Sequence, residues 1–249
     1  LTEGTPHNIR IETKDAANNK SALSFKIQYK PSPASQANSS GKMYYPFMVN
    51  VGEGSADCEF YIGERGLYDS VQIAYRRSVS ANPVVVSAIH TIGAAYIPLQ
   101  EGLVVRIKPN FALPSEKMNR VLIQRFAGTK KEIKKAEWQN GWAVANFNSF
   151  GSFQLVPDET APEIIPVGFK SGQDMSKASR LLFTAKDNMG SIKNFRAELD
   201  GKWLRFTNDK GKNFIYIFDE QCPPGKHTLK ISVADEAGNT AERVFTFTR

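Results

Sequence analysis

Apolar and polar side chains alternate over short stretches along most of the chain, and no stretch holds a helical period for long. The clearest case runs from Cys222 to Arg249. Leu229, Ile231 and Val233 alternate with Thr228, Lys230 and Ser232, the period of two that a half-buried strand requires. Asp235 to Asn239 supply a turn in which Gly238 is free to take a positive φ. A return strand follows from Val244, with Phe245 and Phe247 on one face. The stretch predicts a β-hairpin.

The same pattern occurs near the other end of the chain. A gapless shift of 220 residues sets His7 on His227, Ile9 on Leu229, Ile11 on Ile231, Asp15 on Asp235, Asn19 on Asn239 and Phe25 on Phe245. Asn18 stands where the C-terminal copy has Gly238, and Asn is the non-glycine residue that best tolerates the left-handed conformation. Strand, turn and strand therefore repeat as a module. A lone hairpin is marginal in water, so residues 1–30 read as the terminal hairpin of a truncated immunoglobulin-like domain. The expectation is a C-terminal piece of a longer polypeptide.

Between the hairpins the alternation predicts two larger blocks. Residues 31–41, rich in Pro, Ser, Ala and Asn, read as a linker. Residues 42–157 read as a larger β-sandwich, with strands at Tyr44–Val51, Ala56–Ile62, Ser70–Arg76, Val84–Ile92, Leu103–Lys108, Val121–Phe126, Trp142–Phe147 and Ser152–Val156. Residues 158–249 read as a C-terminal immunoglobulin-like or fibronectin-like domain. Its strands are Ile164–Phe169, Arg180–Lys186, Ile192–Leu199, Lys202–Asn208, Phe214–Phe218, His227–Ala234 and Arg243–Thr248. Asp200-Gly201 is a type I′ hairpin signal, and Asp187-Asn-Met-Gly190 is a further turn. The acidic joint from Pro157 to Glu163 is too short for a floppy tether. The fold class is all-β, tandem antiparallel sandwiches with no sizeable helical domain.

Composition agrees, with 16 Phe and 8 Tyr among 249 residues. No apolar run reaches the roughly 18 residues a membrane helix needs, so no membrane span is expected. The formal charge of +7 is spread out, and only residues 31–157 are noticeably basic. Lys130, Lys131, Lys134 and Lys135 make up much of that surplus. A KKEIKK run is usually a solvated edge or turn; read functionally, it is a patch for an anionic polymer. Nucleic-acid binding would want interleaved aromatics, and only Trp138 and Trp142 lie near, so no nucleic-acid partner is expected.

Catalytic chemistry has little to work with. His7, His90 and His227 are the only histidines. The first and last occupy equivalent hairpin positions, where a structural role is expected, and none has a second histidine nearby to build a zinc site or an activated nucleophile. Asp187, Asp235 and Asn239 resemble the oxygen-rich loops calcium prefers, but Asx-turn chemistry accounts for them and no EF-hand pattern is present. Asp219 and Glu220 are adjacent and point to opposite faces of a strand, a poor acid/base pair. Cys58 and Cys222 read as small buried hydrophobes. Catalytic, cofactor and metal residues are therefore expected to be absent. The candidate surface-binding set is Trp138, Trp142, Lys130, Lys131, Lys134 and Lys135, while Trp203, beside the Asp-Gly turn, is expected to pack.

Several motifs together resemble a known family. They are Phe150-Gly-Ser-Phe-Gln-Leu-Val-Pro-Asp158, Ala161-Pro-Glu-Ile164, Asp200-Gly-Lys-Trp203, Phe214–Glu220, Gly225-Lys-His227 and Asp235-Glu-Ala-Gly-Asn239, with Gly66-Leu-Tyr-Asp69 upstream. The group is similar to the C-terminal non-catalytic β-sandwich region of Bacteroidetes-type lysostaphin-like zinc metallopeptidases, which are peptidoglycan endopeptidases. That family binds zinc through HxxxD and HxH motifs. Positions 11, 94 and 231 are Ile, Ala and Ile, and positions 9, 92 and 229 are Ile, Ile and Leu, so no histidine here fits either motif. The resemblance implies a non-enzymatic tail, with zinc only in an upstream domain. It implies an envelope protein or peptidoglycan as partner, in the periplasm or on the surface of a Gram-negative bacterium. The alternative is an adhesin-like or carbohydrate-binding extracellular module.

Overall fold

The structure is a computed structural model and describes residues 4–28, 41–190, 192–209 and 213–249. Of the expected linker over 31–41, all but Gly41 lies outside the described residues. The chain divides into two compact units, residues 1–40 and 41–249.

In the first unit β1 (Pro6–Lys14) pairs antiparallel with β2 (Lys20–Gln28). Asp15 Oδ1 accepts the backbone N–H groups of Ala17 and Asn19, both at 2.9 Å, and Asn18 takes φ 69°. This is the Asx turn the repeat predicts.

The second unit contains two sandwiches, each with its own core. The first is built from β3 (Lys42–Tyr44), β4 (Asn50–Ser55), β5 (Cys58–Ile62), β6 (Val71–Ile73), β7 (Tyr75–Ser78), β8 (Ile89–Ile92), β9 (Leu103–Ile107), a short helix α1 (Ser115–Met118), β10 (Val121–Ala127), β11 (Lys130–Lys135), β12 (Glu137–Gln139), β13 (Trp142–Phe147) and β14 (Gly151–Pro157). They form two five-stranded sheets, β11-β10-β14-β8-β7 and β12-β13-β9-β5-β4, and a β3-β6 ribbon. Alternation explains the core. Cys58, Phe60 and Ile62 pair with Ile107, Val105 and Leu103, and all six are buried. Phe147 and Phe153 bridge the two sheets, edge to face, with ring centroids 5.1 Å apart.

Three expectations change here. Tyr44–Val51 is not one strand. Pro46 and Phe47, at φ 61°, turn the chain, and the Asn50 amide binds the Tyr45 N–H and the carbonyls of Tyr45 and Met48. The Val84–Ile92 strand begins only at Ile89, because Pro83 and the Asn82 side chain, which accepts the Val84 N–H, hold a turn before it. The KKEIKK run is itself a strand, β11, at the edge of its sheet.

The second sandwich comprises β15 (Glu163–Pro166), β16 (Gln173–Asp174), β17 (Arg180–Lys186), β18 (Ile192–Leu199), β19 (Lys202–Leu204), β20 (Thr207–Asp209), β21 (Asn213–Ile217), β22 (Lys226–Asp235) and β23 (Thr240–Thr248). Sheet β15-β17-β21-β20 faces sheet β16-β23-β22-β18-β19. Leu229, Ile231 and Val233 point inward together with Phe245 and Phe247, all at 2% exposure or less. Phe183 closes on Phe245 from the opposite sheet at 5.2 Å. The molecule is thus all-β, with tandem fibronectin-like sandwiches and no helical domain among the described residues.

Candidate functional site

Topology brings three turns or strand ends of the second sandwich to one pole. β15 starts there, the β17–β18 turn reverses there, and so does the β22–β23 turn, since Glu163 pairs with Lys186 and Ile192 with Asp235. The first sandwich ends at the same pole, because β14 runs directly into Asp158, whose N–H donates to the Arg120 carbonyl at 2.9 Å.

Three carboxylates meet there. Asp235 Oδ1 accepts the N–H groups of Gly238 (2.7 Å) and Asn239 (2.8 Å), and its Oδ2 accepts Asn239 Nδ2 (2.8 Å). Asp187 Oδ2 accepts from Met189 and Gly190 at 2.8 and 3.1 Å. Asp158 Oδ1 accepts from the Thr160 N–H at 3.2 Å and Asn188 Nδ2 at 3.1 Å. Asn239 Nδ2 also donates to the Asp158 carbonyl at 2.8 Å, tying the joint to the hairpin turn. One oxygen from each carboxylate lies within 4.8 Å of the others. Asp158 and Asp235 are 2% and 1% exposed. Burial pushes the Asp187 carboxyl above the usual range and the charges of Asp158 and Asp235 add to the rise, against its turn hydrogen bonds. From the first sandwich, Lys135 Nζ donates to the Ala237 carbonyl at 3.0 Å, and Lys117 faces Glu159 at 3.5 Å.

The six surface-binding candidates do not gather into one aromatic, basic face. Trp142, on β13, is only 9% exposed, beneath the Arg106 guanidinium at 5.1 Å and Lys108 Nζ at 4.3 Å. It is a packing residue, which removes it as a platform for a sugar ring. Trp138, on β12, packs against the first core and donates its indole N–H to the Met118 carbonyl at 2.8 Å. Lys130 and Lys131 are exposed on β11, whereas Lys134 reaches Glu132 at 3.6 Å and Lys135 is committed to the joint. Lys134 and Lys135 line an open cleft with Tyr61, Arg106, Lys193 and Glu236, of mixed charge. Trp203 reverses the expectation made for it: it is 60% exposed, on the rim of a hollow with Asp200, Lys202, Glu220 and His227.

His90 and His227 lie in different sandwiches. His227 Nδ1 lies 2.7 Å from Asp200 Oδ2 and its Nε2 lies 2.6 Å from the Pro223 carbonyl. Two acceptors call for two ring protons. Burial opposes the charge, but these bonds outweigh it and raise the pKa. His90 is fully buried, and desolvation lowers its pKa to about 4, against the pull of Asp57. It ends a chain of hydroxyls. Donation runs in one sense from His90 Nδ1 to Tyr75 (2.7 Å), from Tyr75 to Ser55 (2.8 Å), and from Ser55 to Asp57, which Arg77 holds at 2.8 Å. That assignment leaves His90 Nε2 as an unprotonated acceptor with no donor. Cys58 and Cys222 are buried thiols. Desolvation, with Asp57 and Glu59 adding, drives Cys58 up to about 12, and burial raises Cys222 as well. Neither is a nucleophile in this state.

Sequence reasoning identified the Asp187 and Asp235 turns but missed Asp158, which it read only as part of an acidic joint. The usable signal was topological: two Asx turns closing successive hairpins at the pole where the joint enters.

Residues 49–158 match the family model described as the Zu5-like domain. No curated protein matches the chain. Solved structures with partial likeness include the endo-β-1,4-mannanase of Thermotoga petrophila, 12% identical over 36% of this chain and 20% of that one, with a TM-score of 0.31. The fibronectin(III)-like modules of CbhA from Clostridium thermocellum are 10% identical over 71% and 93%, with a TM-score of 0.28. SGBP-B of the Bacteroides ovatus mixed-linkage glucan utilization locus, solved with a mixed-linkage heptasaccharide, is 11% identical over 99% and 54%, with a TM-score of 0.24. The chain spans only a fifth of the mannanase and about half of SGBP-B. At these TM-scores the likenesses carry no argument about function. No helix among the described residues is long and apolar enough to cross a membrane.

Proposed function

We propose that the chain is the non-catalytic tail of a cell-envelope peptidoglycan metallopeptidase, setting the enzyme's distance and orientation and docking it to an envelope partner. The observation that carries this reading is the joint at Asp158. Hydrogen bonds fasten it to Arg120 on one side and to Asn188 and Asn239 on the other, so the two sandwiches form one compact unit suited to holding a fixed spacing. The motif resemblance supplies the peptidase connection. A docking surface is supported by the loop and strand after β3, where Tyr45, Phe47, Met48, Val49 and Val51 expose 48–87% of their surface. The setting that follows is the periplasm or surface of a Gram-negative bacterium.

The test is retention of the purified chain on peptidoglycan sacculi, alongside cross-linking to envelope proteins. Retention or a specific cross-link that Phe47→Ser with Met48→Ser abolishes is the expected result, and neither occurring counts against the proposal. A second reading, a carbohydrate-binding or adhesin-like module, is favoured by the exposed Trp203 ring beside the hollow over Asp200 and Glu220. A glycan array bound by the wild type and lost in Trp203→Ala would select it.

A further inference from the structure

We propose that Asp158, Asp187 and Asp235 bind a divalent cation, calcium by preference, in the joint between the two sandwiches. This does not rest on the peptidase reading. Oxygens bound to one calcium ion lie at most about 5 Å apart, twice the bond length of ~2.3–2.6 Å. The three carboxylates meet that condition, at 4.8 Å or less. Magnesium, which demands a near-ideal octahedron at ~2.0–2.1 Å and keeps several of its waters, suits a cluster of three protein carboxylates less well.

The satisfied and unsatisfied oxygens show where the cation belongs. Asp158 Oδ1, Asp187 Oδ2 and both oxygens of Asp235 already accept hydrogen bonds. Asp158 Oδ2 and Asp187 Oδ1 are buried and have no donor. A carboxylate that is 98% shielded from solvent, as Asp158 is at 2% exposure, ordinarily finds a donor for each oxygen or a positive partner. Here the orphaned oxygen belongs to a group beside two further carboxylates. Among the described residues no Lys, Arg or His nitrogen comes within 4.0 Å of any of the three. Two cations of the first sandwich, Lys135 and Arg120, stand against Gly238 in the hairpin turn, and Lys135 spends its hydrogen bond on the Ala237 carbonyl instead. The turn hydrogen bonds fix each carboxylate in place. An ion of charge +2 against three carboxylates relieves both the repulsion and the missing donors. The donor set is hard oxygen throughout, which excludes zinc as the preferred metal. Asn188 and Asn239 stand within the same group, and their amide nitrogens, donating to Asp158 and Asp235, orient the carboxylates instead of adding ligands.

Because its ligands come from the joint and from two turns of the second sandwich, the ion would fix the first sandwich against the second. The experiment titrates the chelator-stripped 249-residue chain with calcium chloride by calorimetry and follows thermal unfolding in calcium, in magnesium and in EDTA. One site per chain is expected, with Kd of about 10⁻⁵–10⁻³ M, and a rise in Tm of several degrees at saturation, about 5 °C. Asp187→Asn should lose at least ~tenfold in affinity, since one of three anionic ligands goes, yet melt in EDTA no lower than the wild type, because it sheds a repulsive charge. Asp15→Asn, in the equivalent solvent-exposed turn, should bind as the wild type does. Absence of calcium-dependent heat and Tm shift, an equal shift in Asp187→Asn, or magnesium matching calcium would overturn the assignment. So would an Asp187→Asn variant melting well below the wild type in EDTA, which would make the cluster purely structural.

Discussion

The two hairpins of this chain are the same object in different surroundings. Every residue pair from Pro6↔Gln28 to Lys14↔Lys20 recurs 220 positions later, from Lys226↔Thr248 to Ala234↔Thr240. The turns share two side-chain bonds, with Asp Oδ1 accepting the N–H four residues on and Asn Nδ2 returning to Asp Oδ2, and differ in a third, which Oδ1 accepts from Ala17 in one and from Gly238 in the other. Asn18 and Gly238 both sit at positive φ, 69° and 88°. Yet Ile11 and Phe25 are 50% and 43% exposed, whereas Ile231 and Phe245 are 0% and 2% exposed. Alternation and turn chemistry therefore fix hairpin geometry without a core, and neighbouring strands decide what that geometry is used for. At Asp15 the turn aspartate faces solvent; at Asp235 the equivalent turn is buried against two more carboxylates.

The comparison can be broken most forcefully in the core. Phe245→Ala should destabilise the second sandwich by about 3–5 kcal/mol, read by urea unfolding of the 41–249 unit. Phe25→Ala should leave that transition in place, and equal effects would mean the hairpins are not independent. Asp235→Ala removes three hydrogen bonds at a buried turn and should cost about 2–3 kcal/mol, while Asp15→Ala leaves the transition of the larger unit unmoved. Gly238→Ala should cost about 1–2 kcal/mol for a side chain in the left-handed region. Gly238→Asn should cost less, as Asn18 already shows the fit, with a residual penalty from a Cβ lying 3.1 Å from Lys135 Nζ.

The smallest effects near neutral pH come from the histidines, and they have opposite signs. The folded pKa of His227 is raised, so its contribution is complete below the unfolded value of about 6.5 and is lost as pH rises through the folded pKa. The Asp200 carboxyl is lowered by the Thr228 N–H and by His227, against slight burial, so its share is lost as pH falls through that value. His90 runs the other way from His227. Held down to about 4 by burial, it contributes fully above about 6.5 and loses stability as pH falls toward 4. NMR titration of the two imidazoles checks both. His227→Asn should flatten the alkaline limb of the stability profile and leave the His90 share of the acid limb intact, while reducing the part of the Asp200 share that depends on His227.

Much of this fold could be read directly. The strands Trp142–Phe147, Arg180–Lys186 and Ile192–Leu199 stand where alternation put them, and Asp200-Gly201 forms the expected turn with both φ values positive. The edge strands β11 and β12 were harder. The four lysines of β11 mask any alternation, although Asn140-Gly141, with φ values of 51° and 81°, is as good a hairpin signal as Asp200-Gly201. Tyr44–Val51 looked continuous because it is mostly apolar, although beyond the buried Tyr44 its apolar residues are exposed rather than inward. At the joint each turn was legible alone. Their convergence was not, because it depends on which pole each hairpin closes at and on how β14 hands the chain to β15. Trp142 and Trp203 exchanged roles for a related reason: an aromatic beside a turn is buried or bare according to the sheet above it, not according to its neighbours in sequence.

The lysines of β11 bear on how many copies can stand together. The unpaired side of an outermost strand is a template onto which another chain can add. Any newcomer aligning there would have to strip water from the exposed ammonium groups of Lys130 and Lys131. Two copies brought close together would thus be discouraged from joining their sheets edge to edge through this strand.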